Sequence, residues 1–200
     1  MRNAHLGFRD HLSHHATIVE VSLAPFLAAG ALLYQGPWVA ERLVEFGDFL
    51  DDHPESIHPV VRDIFRSGEQ YTAVDAFAAL QRLQELKAEV GRLWQHMDVL
   101  VVPTIGTTFT VDEVLARPID CNTVLGHYTH FGNLLDLLGI AIPLGTTAGG
   151  RPYSAMLLGA ACTDDTVLQL AAQVLDEPRS ADRADASVRH SSVTTFEESV

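Results

Sequence analysis

The feature that most constrains this chain is a long amphipathic helix that runs directly into an apolar strand. Val74, Phe77, Leu80, Leu83, Leu86, Val90, Leu93, Trp94 and Met97 recur at three- and four-residue spacing, the period that lays side chains along one face of a helix. This spacing predicts a helix over residues 73–97. Residues 98–103 (DVLVVP) follow at once, apolar and β-branched as in a strand buried on both faces. The stripe would also suit a coiled coil, but a strand directly behind it favours packing on a sheet.

Further elements can be read around this pair. Residues 17–23 (TIVEVSL) alternate as a half-buried strand does, and residues 25–33 (PFLAAGALL) read as a short buried helix opened by Pro25. Residues 38–50 carry Val39, Leu43, Phe46 and Leu50 at helical spacing, and residues 58–66 predict a short packing helix. Residues 122–138 look helical, and residues 141–145 and 155–159 look like strands. A last helix is expected after Thr163, with Val167, Leu168, Leu170, Ala171, Val174 and Leu175 facing inward. Residues 1–16 read as a loose leader and residues 177–200 as a polar, disordered tail with little to bury. Helices and strands in this order predict an α/β fold with a mixed sheet covered by helices.

Composition excludes several function classes. A formal charge of -13 with no cluster of Arg and Lys argues against a nucleic-acid backbone as partner. The apolar run of residues 21–33 is too short to span a bilayer and contains Pro25 and Gly30. Cys121 and Cys162 fit neither a disulfide framework nor a CxxC motif, which suggests reduced thiols in a soluble, cytoplasmic protein. His11 and His15 have the spacing of a helical metal pair, yet no further ligand joins them in a recognisable motif. No metal or other cofactor is expected.

Two linked motifs carry a family resemblance. Residues 24–42 (APFLAAGALLYQGPWVAER), and within them the stretch from Leu32 to Arg42, resemble the allophanate hydrolase branch of the amidase-signature family. Residues 125–137 (LGHYTHFGNLLDL) resemble a second motif of that branch, Leu-Gly-x-Tyr-Thr-Asn-Phe-x-Asn-Leu-Leu-Asp-Leu, and residues 98–104 resemble the strand before a substrate-pocket loop in amidases generally. The likeness runs over residues 17–176, as the C-terminal portion of an amidase-signature domain, and leaves residues 1–16 unmatched. The chain departs from the pattern at His130 for an expected Asn, at Gly132 for a larger apolar residue and at Ser154 for a Gly.

The resemblance implies amide hydrolysis through a covalent acyl-enzyme, in which a lysine activates a serine through a second, cis-bonded serine and a Gly-Ser-rich loop holds the oxyanion. That machinery has no counterpart here: Lys87 is the single lysine, flanked by Glu85 and Glu89, and Ser191-Ser192 lacks neighbouring glycines. No catalytic residue is therefore assigned, and the expectation is a truncated allophanate-hydrolase-like amidase, inactive alone. What the resemblance does supply is a substrate-binding pair, Tyr34 and Arg42, suited to a small anionic amide. A guanidinium grips a carboxylate with two parallel hydrogen bonds and a phenol adds a third. The alternative for these two is a core tyrosine and an arginine paired with Glu41 or Glu45 on a helix face. Asn133 and Asp136 are read as bracing backbone, and His127 and Tyr128 as lining a pocket mouth. Rival functions are a non-catalytic assembly half that complements a separate N-terminal half, and a remnant of a general amidase or amidotransferase subunit. Exposed apolar surface would in either case favour such a partner or a homodimer.

Overall fold

In the computed structural model, residues 2–147, 149–176 and 191–195 are described. They form two compact units, one of Met1–Leu23, Val90–Thr107 and Asp136–Val200, the other of Ala24–Glu89 and Thr108–Leu135.

The first unit is built on a mixed five-stranded sheet. Its strands are β1 (Ala16–Glu20), β2 (Val99–Pro103), β3 (Leu138–Thr146), β4 (Pro152–Gly159) and β5 (Ser191–Thr195), in the order β1-β5-β2-β4-β3. β5 runs parallel to both β1 and β2, while β4 runs antiparallel to β2 and β3. β2 is the expected doubly buried strand, with Val99, Leu100, Val101 and Val102 all at 0% exposure. One core gathers Val99, Val101, Ile142, Ala155 and Leu157 from the sheet with Val167, Leu170, Ala171 and Val174 from the helix α9 (Asp164–Asp176). Leu168 and Leu175, expected to face inward, are about half exposed, because a 3.6-residue period places them off the buried stripe.

Two expectations for the chain ends give way in this unit. The leader is not loose: Arg2–Leu12 forms helix α1, whose Phe8 and Leu12, one turn apart, join the core beside Ala16. Arg9 Nη2 reaches Glu20 Oε1 at 2.7 Å, and the His11 ring lies 3.4 Å from the Val174 carbonyl oxygen, so polar contacts tie α1 to β1 and α9. The tail is not wholly without structure either. Ser191–Thr195 becomes β5, because three β-branched residues in a row suit a strand and the backbone groups of β1 and β2 take its hydrogen bonds. The rest of the expected tail lies outside the described residues.

The second unit is helical. α2 (Ala24–Tyr34) is followed by a 3-10 turn at Pro37–Ala40 and by α3 (Glu41–Asp52); α4 spans Pro59–Arg66, and α5 spans Ala73–Leu93, of which residues 73–89 belong to this unit. Buried positions on α5 are Ala79, Leu83, Leu86 and Val90, at spacings of four, three and four. Val74 and Phe77, expected in the same stripe, are 76% and 72% exposed. Residues 122–138, expected as one helix, are instead broken. α6 (Val111–Ala116) and α7 (Pro118–Leu125) are followed by a turn at Gly126, then by the single-turn α8 (Phe131–Leu134), and Asp136 takes a left-handed φ of 56°. Pro118 starts α7 cleanly because the first helical position needs no N–H donor.

Candidate functional site

The helical unit encloses a partly open cavity of about 110 Å³ lined by Leu27, Gly30, Ala31, Gln35, Thr123, His127 and His130. One wall is α2 and the residue after it, the other the end of α7 and the turn behind it. The walls meet at Gly30: a Cβ there would lie 3.2 Å from the Phe131 backbone nitrogen and 3.3 Å from the His130 Cβ. Phe26 and Phe131 pack edge to face with ring centroids 5.4 Å apart, and both are fully buried. Glycine at the crossing lets the backbones approach, and the paired rings hold them there.

The turn at residues 126–130 sets the two histidines. The Gly126 carbonyl accepts the backbone N–H groups of Thr129 and His130, each at 2.9 Å, and the Thr129 hydroxyl at 3.2 Å. The closed turn carries His130 back across Gly126. His127 packs edge-on against the buried Tyr128 at 4.7 Å. Burial holds the His130 imidazole below the ordinary 6.5, and the nearby His127 pushes it the same way. The neutral ring is thus favoured near pH 7, able to donate from one nitrogen and accept at the other. Thr123 donates its hydroxyl to the Ile119 carbonyl at 2.9 Å. The cavity offers amide, hydroxyl and imidazole groups among apolar ones. None of its described lining residues is a serine, cysteine or lysine.

The sequence-derived candidates fall at different distances from this cavity. Tyr34 is the last residue of α2, next to the lining residue Gln35, while its side chain lies outside the described residues. Arg42 stands in the first turn of α3, half-buried, and does not line the cavity. Among the described residues no carboxylate lies within ion-pair distance of it, so the alternative pairing with Glu41 or Glu45 is not formed. The segment leading to it is fixed by another close approach: a Cβ on Gly68 would fall 2.8 Å from the Ala40 Cα. Lys87 is exposed on α5. His127 lines the cavity as expected, Tyr128 is buried behind it, and Asn133 and Asp136 are exposed.

The two walls are formed by the segments that carried the family resemblance, residues 24–42 and 125–137. Comparison with known proteins bears on that resemblance directly. Urea amidolyase of Saccharomyces cerevisiae is 37% identical over 158 residues, 78% of this chain and 9% of that protein. The solved structure of allophanate hydrolase from Kluyveromyces lactis superposes with a TM-score of 0.74 at 34% identity, covering 78% of this chain and 26% of that one. The chain is homologous to allophanate hydrolase, of the amidase-signature family. No family model matches it. The amidase-signature fold is also seen in the likeness to 6-aminohexanoate cyclic dimer hydrolase, with a TM-score of 0.53 at 20% identity. The chain spans about a quarter of the solved allophanate hydrolase and about a tenth of urea amidolyase.

Against this allophanate hydrolase background, the residues that sequence reasoning missed are Gly30, Gln35, Thr123 and Gly126. In the sequence His130 stands out only as a departure from the family motif, yet it is a cavity wall. The signal was present in Gly30 and Gly126, glycines inside otherwise regular motif segments, which often mark close backbone approach. Gly132, the other departure, leaves open space, since a Cβ there meets nothing within 4 Å.

Proposed function

We propose that this chain is the substrate-anion side of an allophanate-hydrolase-type amidase: it binds a small anionic amide, and bond cleavage requires a serine and lysine pair from the portion of an amidase domain that lies outside this sequence. The observation that carries the reading is the meeting of the two allophanate-hydrolase-like segments around one cavity, with Tyr34 beside it and Arg42 just beyond the Pro37–Ala40 turn. A volume of about 110 Å³ suits a ligand of a few heavy atoms. Arg42 supplies a guanidinium with no ion-paired carboxylate among the described residues, so its donors are open to an incoming carboxylate. The family resemblance, not the position of its side chain, assigns Tyr34 to the same anion.

The chain is not itself the hydrolase in this reading. Its one lysine is exposed, and Ser191 and Ser192 lie in β5 of the other unit. The complementary partner is a polypeptide that carries the remaining portion of an amidase domain. Surface for it is available on the helical unit, where Val44, Phe46, Phe49, Val74 and Phe77 are exposed. Its compartment is a reducing cytoplasm, in keeping with two unpaired cysteines, one of them exposed. No described helix is long and apolar enough to cross a membrane. Ammonia release from allophanate tests the reading: none from the purified chain, and turnover when it is co-expressed with the remaining amidase portion. Enzyme-like turnover by the chain alone would overturn it.

A further inference from the structure

The cavity of the helical unit selects its occupant by charge. Four of its seven described lining residues, Gln35, Thr123, His127 and His130, bring polar side chains, and the rest are apolar. None is an Arg, Lys, Asp or Glu. A carboxylate seated here would give up water without gaining a counter-charge, and an apolar ligand would leave the polar groups of the wall to give up theirs. The occupant that fits is a small uncharged group with donors and acceptors of its own. Thr123 already donates its hydroxyl to the Ile119 carbonyl, so toward a ligand it accepts. His130 stands where the motif of residues 125–137 has Asn. An Asn carboxamide offers an acceptor as well as donors, and an imidazole does so only while it is neutral. Burial, and after it His127, favours that neutral ring. The elements around it do not oppose this. α2 and α8 bring no acidic or basic side chain, the Tyr34 phenol lying outside the described residues. α7 brings the exposed Asp120 and the buried Cys121, whose thiol lies 3.6 Å from the Glu113 carbonyl oxygen.

We propose that this cavity is a subsite for an uncharged primary amide, and that His130 is its specificity-determining residue, accepting an N–H of the ligand at a ring nitrogen. Protonation turns the imidazole into a donor at both nitrogens and removes that acceptor, so capture of the amide is lost as pH falls through the folded value of His130. An anion would respond in the opposite sense, since an imidazolium attracts it. The subsite takes the uncharged end of the ligand whose carboxylate is assigned to Arg42 above, and in naming that end it rests on that assignment. Its affinity for a neutral amide is nonetheless a property of the chain alone.

The probes are acetamide and acetate, which differ in charge at nearly equal size, titrated into the 15N-labelled full chain and followed by the backbone amide signals of Gly30, Gln35 and His130. Acetamide should give saturable shifts at pH 7.5 and acetate none. Between pH 7.5 and 5.5 the acetamide affinity of the unaltered chain should fall at least about threefold. His130→Asn, which keeps an acceptor and has no titrating ring, should still capture acetamide and show the same affinity at both pH values. His130→Leu, which keeps neither, should weaken capture about tenfold at pH 7.5. If His130→Leu fails to fold by circular dichroism, the pH profile of His130→Asn decides alone. Absence of saturable acetamide shifts, equal capture of acetate, or an unchanged pH profile in His130→Asn would overturn the proposal. Such a failure is distinguishable from failure of the anion reading, which is measured by ammonia release and by Arg42→Ala and not by acetamide capture.

Discussion

The His130 imidazole lies across Gly126 so closely that a Cβ on Gly126 would fall 1.6 Å from His130 Nε2. No side chain tolerates that overlap, so glycine at 126 is what allows the ring to form a wall of the cavity. Gly126→Ala should expel the ring and destabilise the protein by about 1–3 kcal/mol, the usual range for overpacking. Chemical denaturation measures it, and a double-mutant cycle with His130→Ala separates the cause. If the ring is what collides, Gly126→Ala should cost much less in the His130→Ala background.

His130 also makes stability depend on pH. Its folded-state value is depressed, first by burial and then by His127, so the unfolded chain binds the proton more readily. The favourable contribution is present above the unfolded value of 6.5 and is lost as pH falls toward the lower folded value. The melting temperature should drop on acidification from pH 7.5 through 6, and His130→Asn should flatten that slope. An unchanged slope in His130→Asn would remove His130 as its source.

Tyr153 on β4 sets the opposite limit. Burial pushes its phenol up to about 12 from the ordinary 10.0. A raised phenol value favours the protonated, folded state, so this contribution is intact below pH 10.0 and fades as pH rises toward about 12. Tyr153→Phe should reduce the alkaline loss of stability, followed by denaturant midpoints between pH 9 and 11.

Much of this architecture could be read from the chain. β2 and the buried positions of α5 announced themselves through period, and α2 and α4 through prolines at their starts. β5 and α1 did not. A strand of four hydroxyl residues and one valine carries almost no apolar signal, and its formation depends on pairing partners remote in sequence. α1 hides its short apolar face, Phe8 and Leu12, among histidines. The exposed Val74 and Phe77 show a further gap, because a periodic stripe reveals a face and not what covers it. At the site, resemblance pointed to Tyr34 and Arg42, whereas the cavity walls came from contacts at Gly30 and Gly126 that no spacing rule expresses.

The contrast between buried and exposed aromatic residues gives a stability test within the helical unit. Phe131, fully buried against Phe26, should cost about 3–5 kcal/mol on truncation to alanine. Phe77, 72% exposed, should cost within about 0.5 kcal/mol in the isolated chain. Urea denaturation of the two variants checks the pair, and a large loss for Phe77→Ala would mean that its face is already covered in solution.

The most direct test of the central claim is the steady-state rate of ammonia release from allophanate by this chain co-expressed with the remaining amidase portion, with and without Arg42→Ala. The account predicts turnover for the complemented protein and a loss of about 2–5 kcal/mol in kcat/KM for Arg42→Ala, the cost of leaving a substrate carboxylate without its charged partner. Turnover that is unaffected by Arg42→Ala would contradict it.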